Sequence, residues 1–195
     1  MIRLNEIQES KIINNGKAGL VKNVSLEMSR KTDEHDKSFP DFKIIFSENN
    51  GANIDIGIYY FKDKDFETEK QRNNRMNRYL SRLMHIARAV MGVDFSPSEE
   101  FTNVKDATDF CINIIEENSS NKFFDIFITF GTVNYPSKKG FLEVRYNVPF
   151  IKNSEDNITL ALTKYADDII DKDELIFLQK KNKLNDDSDI FTKDV

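Results

Sequence analysis

The sequence predicts an α+β domain built mainly from strands, and three observations predict it. Apolar and polar residues alternate with period two over residues 42–46, 54–61 and 124–130, the pattern of strands with one buried face. Between residues 67 and 91 the apolar steps lengthen to three and four, which marks a helix. Asn49-Asn50-Gly51 separates the first two alternating runs, and Asn and Gly tolerate the positive φ of a hairpin turn.

The elements follow in order. The first fifteen residues show no clear period and end in a turn signal, Asn14-Asn15-Gly16. Leu20, Val24, Leu26 and Met28 mark a first strand over 19–28, and a charged loop over 30–38 runs to Pro40. The second strand, 41–47, puts Phe42, Ile44 and Phe46 on one face and Lys43 and Ile45 on the other. The third, 54–61, sets Ile54, Ile56, Ile58 and Tyr60 against Asp55, Gly57, Tyr59 and Phe61.

The first helix is read over 67–91, with Met76, Tyr79, Leu80, Leu83, Met84, Ala87, Val90 and Met91 as its stripe and Gly92 as its stop. A second runs over 104–117, capped by Asn103, with Ala107, Phe110, Cys111, Ile114 and Ile115 inward. A fourth strand covers 122–130, with Phe123 and Phe127 outward. A loop over 131–140 leads to a fifth strand from Phe141 that Pro149 closes. Residues 157–179 read as helical, and from 180 onward the composition is that of a disordered tail.

Three strands, a helical segment and two strands is the layout of an OB-fold, a five-stranded barrel used for oligonucleotides. Residues 1–156 are therefore expected to form an OB-like domain with a helical insertion near 65–120. Residues 157–183 are expected to form a C-terminal helical segment and 184–195 an acidic, disordered tail.

Composition narrows the function classes. The 195 residues carry a net charge of −5, unlike the basic balance usual for nucleic-acid binders. The acidity is segregated, however. After Tyr165 nine acids stand against five lysines, so residues 1–165 carry only about −1. One cysteine, Cys111, excludes a disulfide framework and a Cys-based zinc cluster. No signal peptide or membrane span is read, so a cytoplasmic protein is expected.

No Gly-rich phosphate loop and no nucleophile elbow is present. His35 and His85 have no partner at metal-ligand spacing. Pro40-Asp41-Phe42-Lys43 with Glu143-Val144-Arg145 is the best enzymatic pattern, a faint match to metal-dependent nucleases. The expectation is a non-enzymatic protein with no cofactor and no metal.

The binding signal is stronger. Residues 67–91 hold six Lys or Arg against two Glu, a local charge of about +4. Arg75, Arg78, Arg82 and His85 share one stripe, and Arg72 extends it. Arginine grips phosphate through a bidentate fork. If the alternation holds, Tyr59, Phe61, Phe123, Phe127 and Phe141 point outward with Lys43 and Arg145. Bases stack on such rings at about 1–3 kcal/mol each.

The early strand pair with its Asn49-Asn50-Gly51 turn, the late pair ending Gly140-Phe141-Leu142-Glu143-Val144-Arg145-Tyr146-Asn147-Val148-Pro149-Phe150, and the end Asp186-Asp187-Ser188-Asp189-Ile190-Phe191 together carry a likeness. The chain resembles bacteriophage-type single-stranded DNA-binding proteins. The resemblance implies recruitment of replication or recombination partners through Asp186, Asp187, Asp189, Ile190 and Phe191. The chain departs from that pattern in having no Trp and in continuing past Phe191 to Val195.

The expected function is sequence-tolerant binding of single-stranded DNA or RNA in phage replication, repair or recombination. The expected residues are Lys43, Tyr59, Phe61, Arg72, Arg75, Arg78, Arg82, Phe127 and Arg145. Neutralising about four to six phosphates predicts steep salt dependence. A homo-oligomer is compatible with this reading, and a membrane partner is not expected. The alternatives are a phage structural or protein-interaction module, whose interfaces also favour aromatics and Arg, and the nuclease.

Overall fold

Each long strand carries one apolar face, and the sheet aligns those faces so that two helices can cover them. The computed structural model describes residues 1–7, 18–31, 39–129, 131–132, 142–143, 150–156 and 169–171. Its strands are β1 (Ile2–Arg3), β2 (Ala18–Arg30), β3 (Phe42–Ser47), β4 (Asn53–Ile58), β5 (Glu100–Phe101), β6 (Phe123–Thr129), β7 (Gly131–Thr132), β8 (Leu142–Glu143), β9 (Phe150–Asn153) and β10 (Ile169–Asp171). Its helices are α1 (Glu69–Met91) and α2 (Val104–Asn118), and Leu4–Glu6 forms a 3₁₀ turn.

The main sheet runs in the order β4-β3-β2-β6-β9, every neighbour antiparallel, and β10 adds in parallel to the start of β2. The pairings Leu26–Phe46, Phe46–Ile54, Val24–Phe124 and Ile126–Ile151 carry one apolar row across it. The hairpin signal is realised as a tight turn. Gly51 takes φ 84°, and Asn50 Oδ1 accepts from the Ala52 N–H at 2.8 Å.

The connection from edge strand β4 to β6, on the far side of β2, holds both helices. It therefore lays them across one face of the sheet. Thr68 and Gln71 form a reciprocal capping box at the start of α1, and Gly92, at φ 115°, stops it. Asn103 Oδ1 accepts from the Asp106 N–H at 2.9 Å at the start of α2. Leu80, Leu83, Met84, Ile86, Ala87 and Val90 of α1 and Ala107, Cys111, Ile112 and Ile115 of α2 close over the apolar row. Burial pushes the Cys111 thiol up to about 12, which makes it a packing residue rather than a nucleophile. Among the described residues no helix is long and apolar enough to cross a membrane.

Several expectations are corrected. The sheet is open: among the described residues β4 and β9 do not pair, so no closed barrel forms. A barrel needs the interior filled by its own strands, whereas here the two helices fill that role from one side. The fifth strand of the sheet is β9, not the stretch from Phe141. Of that stretch, Leu142–Glu143 pairs with Gly131–Thr132 as a separate ribbon, inside what was read as a loop. Ile169–Asp171, expected helical, is a strand beside Ala18–Leu20, a place where two β-branched residues outweigh a loose helical pattern. The Asn14-Asn15-Gly16 turn, His35, Phe141, the rest of 157–183 and the tail over 184–195 lie outside the described residues.

A buried carboxylate fixes the bend in β2. Lys22 and Asn23 together oppose Asp125, a β-bulge, with Asn23 at φ 54°. Asp125 accepts from the Asn23 N–H at 3.2 Å and from Ser154 Oγ at 2.7 Å, with Lys152 Nζ at 3.6 Å. Removing it strands two donors and leaves the Lys152 ammonium with the Asp156 carbonyl, at 2.9 Å, but no carboxylate. Asp125→Ala is expected to cost about 2–4 kcal/mol, read as a lowered urea midpoint. A midpoint equal to wild type would mean that water replaces the carboxylate.

Candidate nucleic-acid interface

The site begins where β4 ends. Pro40 has no N–H to extend the ladder beyond Phe42, so the chain leaves the sheet after Ile58. The Tyr60 N–H donates instead to Asp41 Oδ2 at 2.8 Å. Pro40 also packs over Gly57, where a Cβ would stand 3.0 Å from its side chain. Residues 59–67 then run along the first half of α1, which reaches beyond the core; Leu80 is the first buried residue of that helix.

This segment is stapled to both helices. The Tyr60 hydroxyl donates to Asp109 of α2, and burial followed by that bond raises its pKa. The Phe61 ring lies 5.8 Å from Tyr79 and 4.1 Å from the Arg75 guanidinium. Burial pushes the Tyr79 hydroxyl up to about 12. Arg72 bonds Asp63 at 2.6 Å. Arg75 bonds Glu67 through Nε at 2.8 Å and Nη2 at 2.6 Å, and reaches the Lys62 carbonyl at 2.8 Å.

The Arg75 hydrogen bonds hold the Glu67 carboxyl below its ordinary range and raise the guanidinium in turn. A lowered carboxyl contributes stability above its ordinary range and loses it as the pH falls through the depressed value. The loop–helix staple is therefore intact at neutral pH and weakens in acid.

Between the segment and α1 lies an open groove of about 920 Å³, lined by Tyr59, Phe61, Lys62, Lys64, Phe66, Arg75, Arg78 and Arg82 among others. Its walls carry Lys62, Lys64, Arg75, Arg78 and Arg82 against Asp65 and Glu67, a clear positive excess. Arg78, Arg82 and Lys62 make no ion pair among the described residues. Two rings stand in solvent at its rim, Tyr59 at 54% and Phe66 fully exposed.

No family model, no curated protein and no solved structure matches the chain. What the groove does has to be read from its own residues.

Of the expected binding residues, Tyr59, Phe61, Arg75, Arg78 and Arg82 come together here. Their states differ. Phe61 is half-buried under Arg75, so it serves as floor rather than as an open stacking face. Arg72 and Arg75 are held by Asp63 and Glu67. His85 leaves the arginine stripe, its Nε2 accepting from the Ile151 N–H at 3.2 Å. Lys43 lies apart, on the sheet face away from the helices, paired with Asp55 at 2.9 Å and 5.1 Å from the Phe39 ring. Phe123 is half-exposed in β6, paired with Ser25 of β2. Phe127 is placed only by its backbone, opposite Leu20 and Phe150. Arg145 and the tail residues Asp186, Asp187, Asp189, Ile190 and Phe191 lie outside the described residues. In the nuclease pattern Asp41 is engaged by Tyr60, and among the described residues no cluster of His, Cys, Asp or Glu could hold a metal.

Sequence reasoning missed Phe66. It is a lone ring in the charged run Lys62-Asp63-Lys64-Asp65-Phe66-Glu67, with no period to bury it. That isolation was the available signal. Its φ of 66° is unfavourable for a bulky side chain by about 1–3 kcal/mol. A strained, fully exposed ring at the rim of a cationic groove is poorly explained by packing.

Proposed function

We propose that the chain binds single-stranded nucleic acid, without sequence preference, along the groove between residues 59–67 and α1. One observation carries the reading: cations without ion pairs among the described residues, Arg78, Arg82 and Lys62, line the same groove as the exposed rings Tyr59 and Phe66. Arg78 and Arg82 are one helical turn apart, about 6 Å along the axis, suited to adjacent phosphates of an extended strand. Unpaired bases offer π faces to Tyr59 and Phe66, and a duplex hides those faces in its own stack. The OB-like reading of the sheet remains part of this proposal. Its support is a long strand, β2, that joins β3–β4 to β6–β9, with the helices inserted in the chain between β4 and β6, the third and fourth strands of the main sheet in chain order. A role in phage replication or recombination, with partners held by the acidic 186–191 segment, rests on the sequence resemblance.

The test is anisotropy of a labelled oligo-dT against the full chain, at low and moderate salt, with duplex of equal length as competitor. About three neutralised phosphates predict a slope of about −2 in log K against log salt. Tyr59→Ala and Phe66→Ala should each weaken binding by about 1–3 kcal/mol while leaving Tm unchanged. Duplex that competes as well as single strand would defeat the proposal. So would an absence of binding at low salt, which would bring the protein-interaction reading forward.

A further inference from the structure

We infer that Glu67 is a built-in phosphate mimic holding Arg75 in reserve, so that a bound strand must exchange this carboxylate for one of its own phosphates. The inference rests on the nucleic-acid reading above and concerns the regulation of that groove.

The geometry carries it. Arg75 meets Glu67 through two nitrogens, at 2.8 and 2.6 Å, the fork arrangement that Arg uses on phosphate as well. The guanidinium does not depend on Glu67 for its position. It also donates to the Lys62 carbonyl at 2.8 Å, and it sits 4.1 Å from the Phe61 ring centroid. A cation held by two further contacts stays in place when the carboxylate withdraws.

Its place on the helix is the second reason. Arg75, Arg78 and Arg82 follow steps of three and four, which keep them on one stripe. They therefore form a line along the groove wall, with Arg78 and Arg82 open and Arg75 closed. A strand caught on the two open cations can extend toward residue 75 only by displacing Glu67. Anion replaces anion at the guanidinium, so the gain from that contact is cancelled in large part. Glu67 belongs to the segment that carries Tyr59 and Phe66, so the exchange also loosens the rim against α1.

The experiment compares wild type, Glu67→Gln and Glu69→Gln in oligo-dT anisotropy across salt. Glu69 lies two residues away at the first turn of α1, exposed and with no ion pair among the described residues. Both variants change the net charge equally, but only the first releases Arg75. Glu67→Gln should bind several-fold more tightly and steepen the salt slope by about 0.7, one further phosphate on a single strand. Glu69→Gln should leave the slope at its wild-type value. Adding Arg75→Gln to Glu67→Gln should remove the gain. If wild type binds and the two Glu variants behave alike, or Glu67→Gln binds no better, the inference falls and the groove reading stands. If neither wild type nor Glu67→Gln binds at low salt, both fall together.

Discussion

Reversing Arg78 and Arg82 together to Glu is expected to lower affinity for oligo-dT by about 100-fold at low salt, and to flatten the salt slope by about 1.4, the share of two single-strand phosphates. The size follows from position. Both side chains are exposed, neither makes an ion pair among the described residues, and both line the groove. Their charge is free for a ligand, whereas that of Arg72 and Arg75 is spent on Asp63 and Glu67. Exposed substitutions away from packed features shift stability by about 0.5 kcal/mol or less. Tm should therefore hold while binding collapses, and anisotropy beside a thermal melt reads both at once. Wild-type affinity in a folded variant would remove the groove as the binding surface.

Phe46→Ala is expected to cost about 3–5 kcal/mol of stability, the range for deleting a fully buried ring. Phe46 has no solvent exposure and sits in β3 between Leu26 and Ile54. No neighbour is placed to refill the space, because β2 and β4 are both tied to β3 by backbone ladders. Urea unfolding should show a lower midpoint with unchanged slope. A shift of less than about 1 kcal/mol would mean that the helices collapse into the vacancy. The two variants separate the molecule into its parts: one is expected to weaken binding on an intact fold, and the other to weaken the fold itself.

A chain of negative net charge carries a groove of the opposite sign. Five cations face two acids along its walls, and one of those acids, Glu67, is the one bound to Arg75. Net charge governs solubility and long-range encounter, while local excess decides where an anion rests.

The local elements were legible in the residues alone. The hairpin at Asn49-Asn50-Gly51, the helix stopped by Gly92, the helix capped by Asn103 and the alternation in β3, β4 and β6 were all legible. Each depends on residues within about one turn or one strand of each other, and side-chain period and turn chemistry report such order directly. Five of the groove residues were legible for the same reason. Arg75, Arg78 and Arg82 share a helical stripe, and Tyr59 and Phe61 stand apart from the apolar face of their run.

The rest follows from the path of the chain in space. That two helices would cover one face and leave the sheet open depends on where the crossover from β4 to β6 passes. That β10 would pair with residues 18–20 depends on contacts some 150 positions apart along the chain. Asp63 and Glu67 reach Arg72 and Arg75 because the chain turns back at residues 65–66. The same turn lifts Phe66 into solvent at a backbone angle no local preference would select. Residue type set what each side chain could do, and chain path set which partner it met, because neither an ion pair across a turn nor an exposed ring leaves a period in the sequence.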